Sequence, residues 1–217
     1  MTVYISATDV GVCINEQVLL APVNLGLSAG RTLAVTGSNG SGKTTLLRLL
    51  SGQTTPSTGT VTVAGEPADD RDPAFRRRLA ALFGLPPLAR NLTLREHMTL
   101  VATTWGFPLE EAEVRADELL TRFDIARLHA RFPHELSSGQ TQLFALALTL
   151  TRPFEVLLLD EPEQRLDADR LVMVGEVLNG LVADGATIIM ASHSPALVAA
   201  VADEVLELSE SDRADSD

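Results

Sequence analysis

Gly37-Ser38-Asn39-Gly40-Ser41-Gly42-Lys43-Thr44 lies between an apolar stretch at residues 31–36 and a helix-periodic stretch at residues 44–50, which ends before Gly52 and Pro56. The spacing is G-x-x-x-x-G-K-[ST], and a strand before it with a helix after it is the context in which that pattern binds phosphate. Three glycines let the chain turn its backbone N–H groups inward around phosphate oxygens, and the following helix adds the partial positive charge of its N-terminus. Lys43 is expected to reach the β- and γ-phosphates. Thr44 is expected to offer its hydroxyl to Mg2+, a hard cation that takes oxygen ligands.

A second stretch supplies carboxylates. Val156-Leu157-Leu158-Leu159-Asp160-Glu161 is an unbroken apolar run closed by two acids. That is the pattern of a strand buried on both faces whose C-terminal end opens at a site. Asp160 is then the natural partner of Mg2+ through a water shell, while Glu161 is placed to orient or deprotonate an attacking water. Two acids that merely end a strand at the surface are the plain alternative, and the phosphate loop weighs against it.

Around these stretches, short strands are read at residues 3–7, 18–20, 31–36 and 60–63, each bounded by Gly, Pro, Asn or Ser. Residues 94–105 and 109–123 carry apolar side chains at helical spacing, so residues 86–151 read as a helical insertion. A strand is expected at 79–83, and from residue 154 strands at 155–159, 186–191 and 204–208 alternate with helices at 167–182 and 195–202. Alternation of that kind implies an α/β fold with a parallel sheet and crossover helices. One domain is expected over residues 1–208, followed by an acidic, solvated tail at 209–217.

Composition narrows the classes. A chain of 217 residues fits one domain carrying an insertion, and 45% hydrophobic with 21% charged residues is the mix of a folded protein. Seventeen Lys and Arg stand against 29 Asp and Glu, and a net charge of −12 repels a phosphate backbone, which disfavours a general nucleic-acid binder. Residues 143–159 are interrupted by Arg152, Pro153 and Glu155, so no stretch reaches the roughly 18 apolar residues of a bilayer span. Residues 1–9 lack the basic-then-apolar order of a secretory signal, and a lone Cys13 allows neither an internal disulfide nor a thiolate cluster. The cytosol is the expected compartment. His97, His129 and His134 share no ligand spacing, leaving Mg2+ as the metal expected. Trp105 and Phe107 read as packing for the insertion, and Arg76, Arg77 and Arg78 as a solvated face.

Leu136-Ser137-Ser138-Gly139-Gln140 precedes a further helical run. Alone it reads as a helix cap. In company with the other motifs it resembles the LSGGQ signature of ATP-binding cassette (ABC) ATPases, with Ser138 in place of the first glycine. Ser137 and the Gly139 backbone at a helix N-terminus make a second anion site that suits a γ-phosphate. His193, within Ala191-Ser192-His193-Ser194, resembles the switch histidine of that family, which contacts the γ-phosphate. Leu166-Asp167 resembles its dimer-contact loop, with Gln164 and Arg165 in place of the small residues usual there. Five motifs in family order cover about residues 3–208.

The resemblance implies a P-loop core, an N-terminal antiparallel β-subdomain and an inserted α-helical subdomain bearing the signature. It implies ATP and Mg2+ as cofactors, Glu161 as catalytic base with His193 beside it, and metal contacts from Thr44 and Asp160. Two units would pair head to tail, each ATP lying between the loop from Gly37 to Thr45 of one and Ser137, Ser138, Gly139 and Gln140 of the other. ATP binding closes the pair and hydrolysis releases it, a motion that a membrane permease converts into transport. The chain is thus expected on the cytoplasmic face of a membrane, as a peripheral subunit paired with a second cassette.

Two departures from the family pattern stand out. Members usually carry a Gln between the strand before the insertion and an L-T-x-x-E segment. Here Leu92-Thr93-Leu94-Arg95-Glu96 is present, but upstream reads Leu82-Phe83-Gly84-Leu85-Pro86-Pro87. Leu85 holds the position, and its side chain can neither ligate a cation nor hydrogen-bond water, so slow or weakly coupled hydrolysis is expected. The adenine-stacking aromatic is missing as well, because Cys13, Ile14 and Asn15 occupy its region. Ile14 can pack on a base but lacks a π face, which implies modest ATP affinity and poor selectivity over GTP.

Besides the transporter subunit, two readings stay open. A soluble cassette in repair or translation would usually bring a second cassette, a long coiled coil or zinc-binding cysteines, none of which this sequence carries. A degenerate nucleotide-binding subunit is favoured by Leu85 and opposed by Lys43, Asp160, Glu161 and His193.

Overall fold

The computed structural model describes residues 3–209. In chain order these form β1 (Val3–Ile14), β2 (Gln17–Ser28), β3 (Thr32–Gly37), α1 (Lys43–Leu50), β4 (Thr58–Val63), β5 (Glu66–Pro67), α2 (Pro73–Arg78) and β6 (Leu79–Phe83). They continue with α3 (Leu94–Thr104), α4 (Leu109–Arg122), α5 (Ser138–Leu150), β7 (Val156–Asp160), α6 (Ala168–Ala183), β8 (Thr187–Ala191), α7 (Pro195–Val201) and β9 (Glu204–Leu208). Of the acidic tail expected at 209–217, all but Ser209 lies outside the described residues.

The apolar run of β7 explains the main sheet. Val156, Leu157, Leu158 and Leu159 are all fully buried, which a strand manages only when both faces of its sheet are covered. Leu157 and Leu159 pack with Met98 of α3, Leu120 of α4, Phe144 of α5 and Val174 of α6. Val156 and Leu158 face the other way, toward Leu46 and Leu50 of α1 and toward Ile5 and Leu27 of the N-terminal hairpin. The strand order is β6-β7-β8-β3-β9, with every pair parallel, as the alternation of strands and helices requires.

A second, antiparallel sheet runs β2-β1-β4-β5. Its first two strands are 12 residues each, longer than the segments expected at 3–7 and 18–20. Thr8 and Asp9 interrupt the apolar alternation there, yet β1 carries through them as a bulge with Asp9 at φ 51°. The hairpin turns at Asn15 and Glu16, both with positive φ, the handedness that matches strand twist.

α2 was not expected. Asp72 accepts from the Ala74 N–H and Pro73 fills the first turn, so a helix starts where the sequence reads as a charged surface. Of the arginines expected to be merely solvated, Arg78 pairs with Glu155 at 3.4 Å.

Between β6 and β7, two arginines tie the ends of α3, α4 and α5 to one another. The Arg115 guanidinium donates to Thr151 O and Leu150 O at 2.6 and 2.8 Å, satisfying the last carbonyls of α5. Arg115 also lies over the Phe107 ring, and Arg152 sits 3.9 Å from the centre of the Trp105 ring. Both aromatics are therefore packed, as expected. His97 Nε2 accepts from the Ala89 N–H, and its Nδ1 lies 2.9 Å from Thr93 O, pinning the loop between β6 and α3. Among the described residues no helix is long and apolar enough to cross a membrane.

Candidate functional site

The phosphate loop leaves β3 at Gly37 and enters α1 at Lys43. Gly37 and Gly42 have φ 139° and 97°. A Cβ on Gly37 would come within 2.3 Å of Leu208 O, and one on Gly42 within 2.7 Å of Leu20 Cδ1, so only glycine lets the loop run this tightly over β9 and β2. Gly42 is the N-cap of α1 and supplies no side-chain cap, which leaves the positive end of the helix to an outside anion.

Two further side chains fit that anion. Lys43 is 6% exposed, and its ammonium donates to Gly37 O and Ser38 O at 2.9 and 2.8 Å. Among the described residues it has no carboxylate at ion-pair distance, so a nearly dry cation is held by two carbonyl dipoles, with the Asp160 charge acting on it from farther off. Ser41 Oγ is buried without a hydrogen-bond partner among the described residues. A phosphate group would answer both.

Thr44 Oγ1 donates to Asp160 Oδ2 at 2.7 Å, joining residues 116 apart in sequence. Burial holds the Asp160 carboxyl above its ordinary value, with the opposing Thr44 hydrogen bond second in size and the neighbouring Glu161 charge adding to the rise. A hydroxyl and a half-buried carboxylate in contact are hard oxygen donors, which fits Mg2+.

Glu161 follows β7 at φ 51°, a left-handed conformation unusual for a residue with a side chain, and its N–H donates to Ala191 O at 2.9 Å. This turn aims its carboxylate across to the end of β8, where His193 Nε2 lies 3.5 Å from Glu161 Oε1. The two loops meet because β7 and β8 are parallel neighbours with Asp160 opposite Ala191. Sequence-expected residues from three separate stretches thus converge at the C-terminal ends of β3, β7 and β8.

The signature stretch is built as a capping box. Ser137 Oγ accepts from the Gln140 N–H, and Gln140 Oε1 accepts from the Ser137 N–H. The cap and the proposed anion site therefore use the same helix end. Gly139 is packed so that a Cβ would lie 2.8 Å from Arg165 O and 2.7 Å from Arg170 Nη1, while Gln142 Nε2 donates to Pro162 O.

Sequence reasoning missed Glu163 and gave Gln164 no role beyond a departure from the family pattern. Gln164 Nε2 donates to Glu161 Oε2, and Glu163 Oε1 accepts from Ser192 Oγ and from the His193 and Ser194 N–H groups. The available signal was topological: loops leaving adjacent parallel strands run side by side. Leu85 sits two residues past β6, 41% exposed, with Phe83 paired to Asp160. Ile14 and Val18 are exposed near the tip of the first hairpin.

A comparison of the sequence with family models matches residues 20–164 to the ABC transporter family. The chain belongs to that family. Among curated ABC relatives, the macrolide export ATP-binding/permease protein MacB of Campylobacter jejuni is 34% identical over 200 residues, covering 90% of this chain and 31% of MacB. The glucose import ATP-binding protein GlcV of Saccharolobus solfataricus is 35% identical over 203 residues, covering 88% of this chain and 55% of GlcV. The chain thus spans about a third of the one relative and about half of the other. The dimeric bacterial ABC transporter cassette MJ0796 superimposes with a TM-score of 0.85 at 25% identity, covering 95% of this chain and 94% of that one. The ABC cassette fold, with its parallel core sheet, N-terminal antiparallel sheet and helices, is the architecture expected.

Proposed function

We propose that this cassette binds and hydrolyses ATP and powers a separate membrane permease by closing on a second cassette when ATP binds. One observation carries the reading: Lys43, the Thr44–Asp160 pair and the Glu161–His193 pair stand together at one edge of the parallel sheet. We take residues 1–208 as one cassette with the helical insertion at 86–151, working at the cytoplasmic face of a membrane.

The loop from Gly37 to Thr45 binds the phosphates through backbone N–H groups and Lys43. Thr44 and Asp160 hold Mg2+, which supplies charge neutralisation at the phosphates when bound. Glu161 accepts a proton from the attacking water, and His193 orients the γ-phosphate beside it. Ser137, Ser138, Gly139 and Gln140 contact the nucleotide held by the second cassette. Ile14 packs on the base without a π face, so affinity is modest and GTP competes. Leu85 leaves the water without a side-chain amide at that position, so turnover is slow. That same residue favours a second reading, a weakly active partner in an asymmetric pair.

The test is Glu161→Gln, which removes the base and traps the ATP-bound pair. Gentle detergent extraction from membranes should then co-purify a multi-spanning protein in stoichiometric amount. A bare ATP-bound dimer, or soluble partners alone, would refute the transport reading and favour a soluble cassette ATPase.

A further inference from the structure

Residues 160–165 touch a different part of the site at each step. Asp160 meets the phosphate loop, Glu161 meets His193, Pro162 O meets the α5 side chain Gln142, Gln164 meets Glu161, and Arg165 O lies against Gly139. Glu163 is the member whose contacts are densest. Its Oε1 accepts from Ser192 Oγ at 2.7 Å, from His193 N–H at 2.6 Å and from Ser194 N–H at 3.1 Å. All three donors belong to the short link between β8 and α7, where Ser194 is the N-cap of α7.

Its second oxygen is the anomaly. Glu163 Oε2 is buried and has no hydrogen-bond partner among the described residues. A loop that needed only a polar staple would be served at lower cost by a hydroxyl, because a half-satisfied carboxylate forfeits hydration it does not recover. The imidazole it supports has little else to fix it. The His193 side chain is 40% exposed, and its Nε2 lies 3.5 Å from Glu161 Oε1. An exposed side chain keeps such a distance only if its backbone is held.

We propose that Glu163 is the positioning residue that holds His193 against Glu161, by gripping the backbone of residues 192–194 through three hydrogen bonds to one oxygen. The inference rests on Glu161 and His193 acting as proposed above. It also gives the carboxylate a mechanical consequence: movement of residues 164–167, the stretch that resembles a dimer-contact loop, shifts the histidine through Glu163.

The experiment is a double-mutant cycle on the full chain with hydrogen exchange as an independent readout. Glu163→Ala is expected to lower kcat for ATP hydrolysis about tenfold with KM within about twofold, because the phosphate loop and Lys43 that bind ATP are unaltered. Amide exchange in the 187–197 segment should quicken while α1 keeps its protection. Glu163→Gln retains an oxygen where Oε1 lies and should recover most of the rate. In a His193→Ala background the Glu163→Ala change should add nothing further. An equal fall in that background, an unchanged kcat, or a collapse of KM with kcat would overturn the positioning role. Unchanged exchange at 187–197 would show that the grip does not exist. Absence of ATPase activity in the unsubstituted chain would instead refute the underlying hydrolysis reading, with exchange still reporting on the grip.

Discussion

Replacing Lys43 with Met separates ligand binding from folding more cleanly than any other single change at this site. Met keeps the length of the aliphatic stem that is buried with Lys43, so packing is conserved and only the ammonium is lost. The ammonium makes two charge-assisted hydrogen bonds to loop carbonyls, about 1.5–3 kcal/mol each. Against that stands the dehydration of a cation with no carboxylate at ion-pair distance among the described residues, which costs several kcal/mol. The two terms oppose, so the nucleotide-free variant should differ from the unsubstituted protein by at most about 2 kcal/mol, in either direction. ATP tells the proteins apart. At ATP one hundredfold above Kd, binding adds about 2.7 kcal/mol of stability. A chain of this length gains about 2–4 °C in Tm per kcal/mol, so MgATP should raise Tm by about 5–10 °C. Removing a buried ammonium from a polyphosphate site costs at least about a hundredfold in affinity, and the same ATP then raises Tm by only about 1 °C. Thermal unfolding with and without MgATP measures both numbers. Retention of more than half of the shift by Lys43→Met would refute Lys43 as the phosphate cation. Unfolding of the nucleotide-free variant would recast it as a structural latch for the loop.

Three further outcomes follow from the site. Leu85→Gln should raise turnover about tenfold by restoring an amide two residues past Phe83, whose strand pairs with that of Asp160, and because Leu85 is exposed the fold should change by less than about 0.5 kcal/mol; unchanged turnover counts against slow hydrolysis through this residue. Ile14→Tyr should tighten ATP about fivefold by supplying a π face, and tight, ATP-only binding by the unsubstituted chain in calorimetry would contradict the modest affinity expected. Asp160→Asn tests the half-buried carboxyl. Because burial raises its folded value above the unfolded one, its contribution to stability is complete below the ordinary carboxylate range and is lost as pH rises through the folded value. The nucleotide-free Asp160→Asn protein should therefore be at least as stable as the parent at pH 7, with the gap closing toward acid. A gap that widens on acidification, measured by urea unfolding across pH, would refute the assignment.

Much of the site was legible because its pieces are contiguous. The glycines, Lys43 and Thr44 announce a turn between strand and helix, and the run to Asp160-Glu161 announces a doubly buried strand with acids at its mouth. Those are local properties of backbone conformation and hydropathy, and the structure places the corresponding elements within a few residues of the expected bounds. α2 escaped because six residues with three arginines carry no apolar periodicity; its start depends on Asp72 and Pro73, and it buries the single side chain Phe75. The long first hairpin escaped because a bulge at Asp9 lets a strand continue through residues that break its alternation.

The sequence by itself determined which groups are available and in what order they occur: a phosphate loop, a capped signature helix, two acids, a histidine, and an apolar residue where the family carries an amide. Tertiary structure alone decided which of them meet. Thr44 reaches Asp160, Glu161 reaches His193, and Glu163 reaches residues 192–194, because burial on both faces sets the order β6-β7-β8-β3-β9 and puts the C-terminal ends of β3, β7 and β8 on one edge. Strand order is a property of how layers close over a core, summed over many distant contacts. No window of sequence contains it, which is why a glutamate with no motif of its own could be recognised only once β7 and β8 lay side by side.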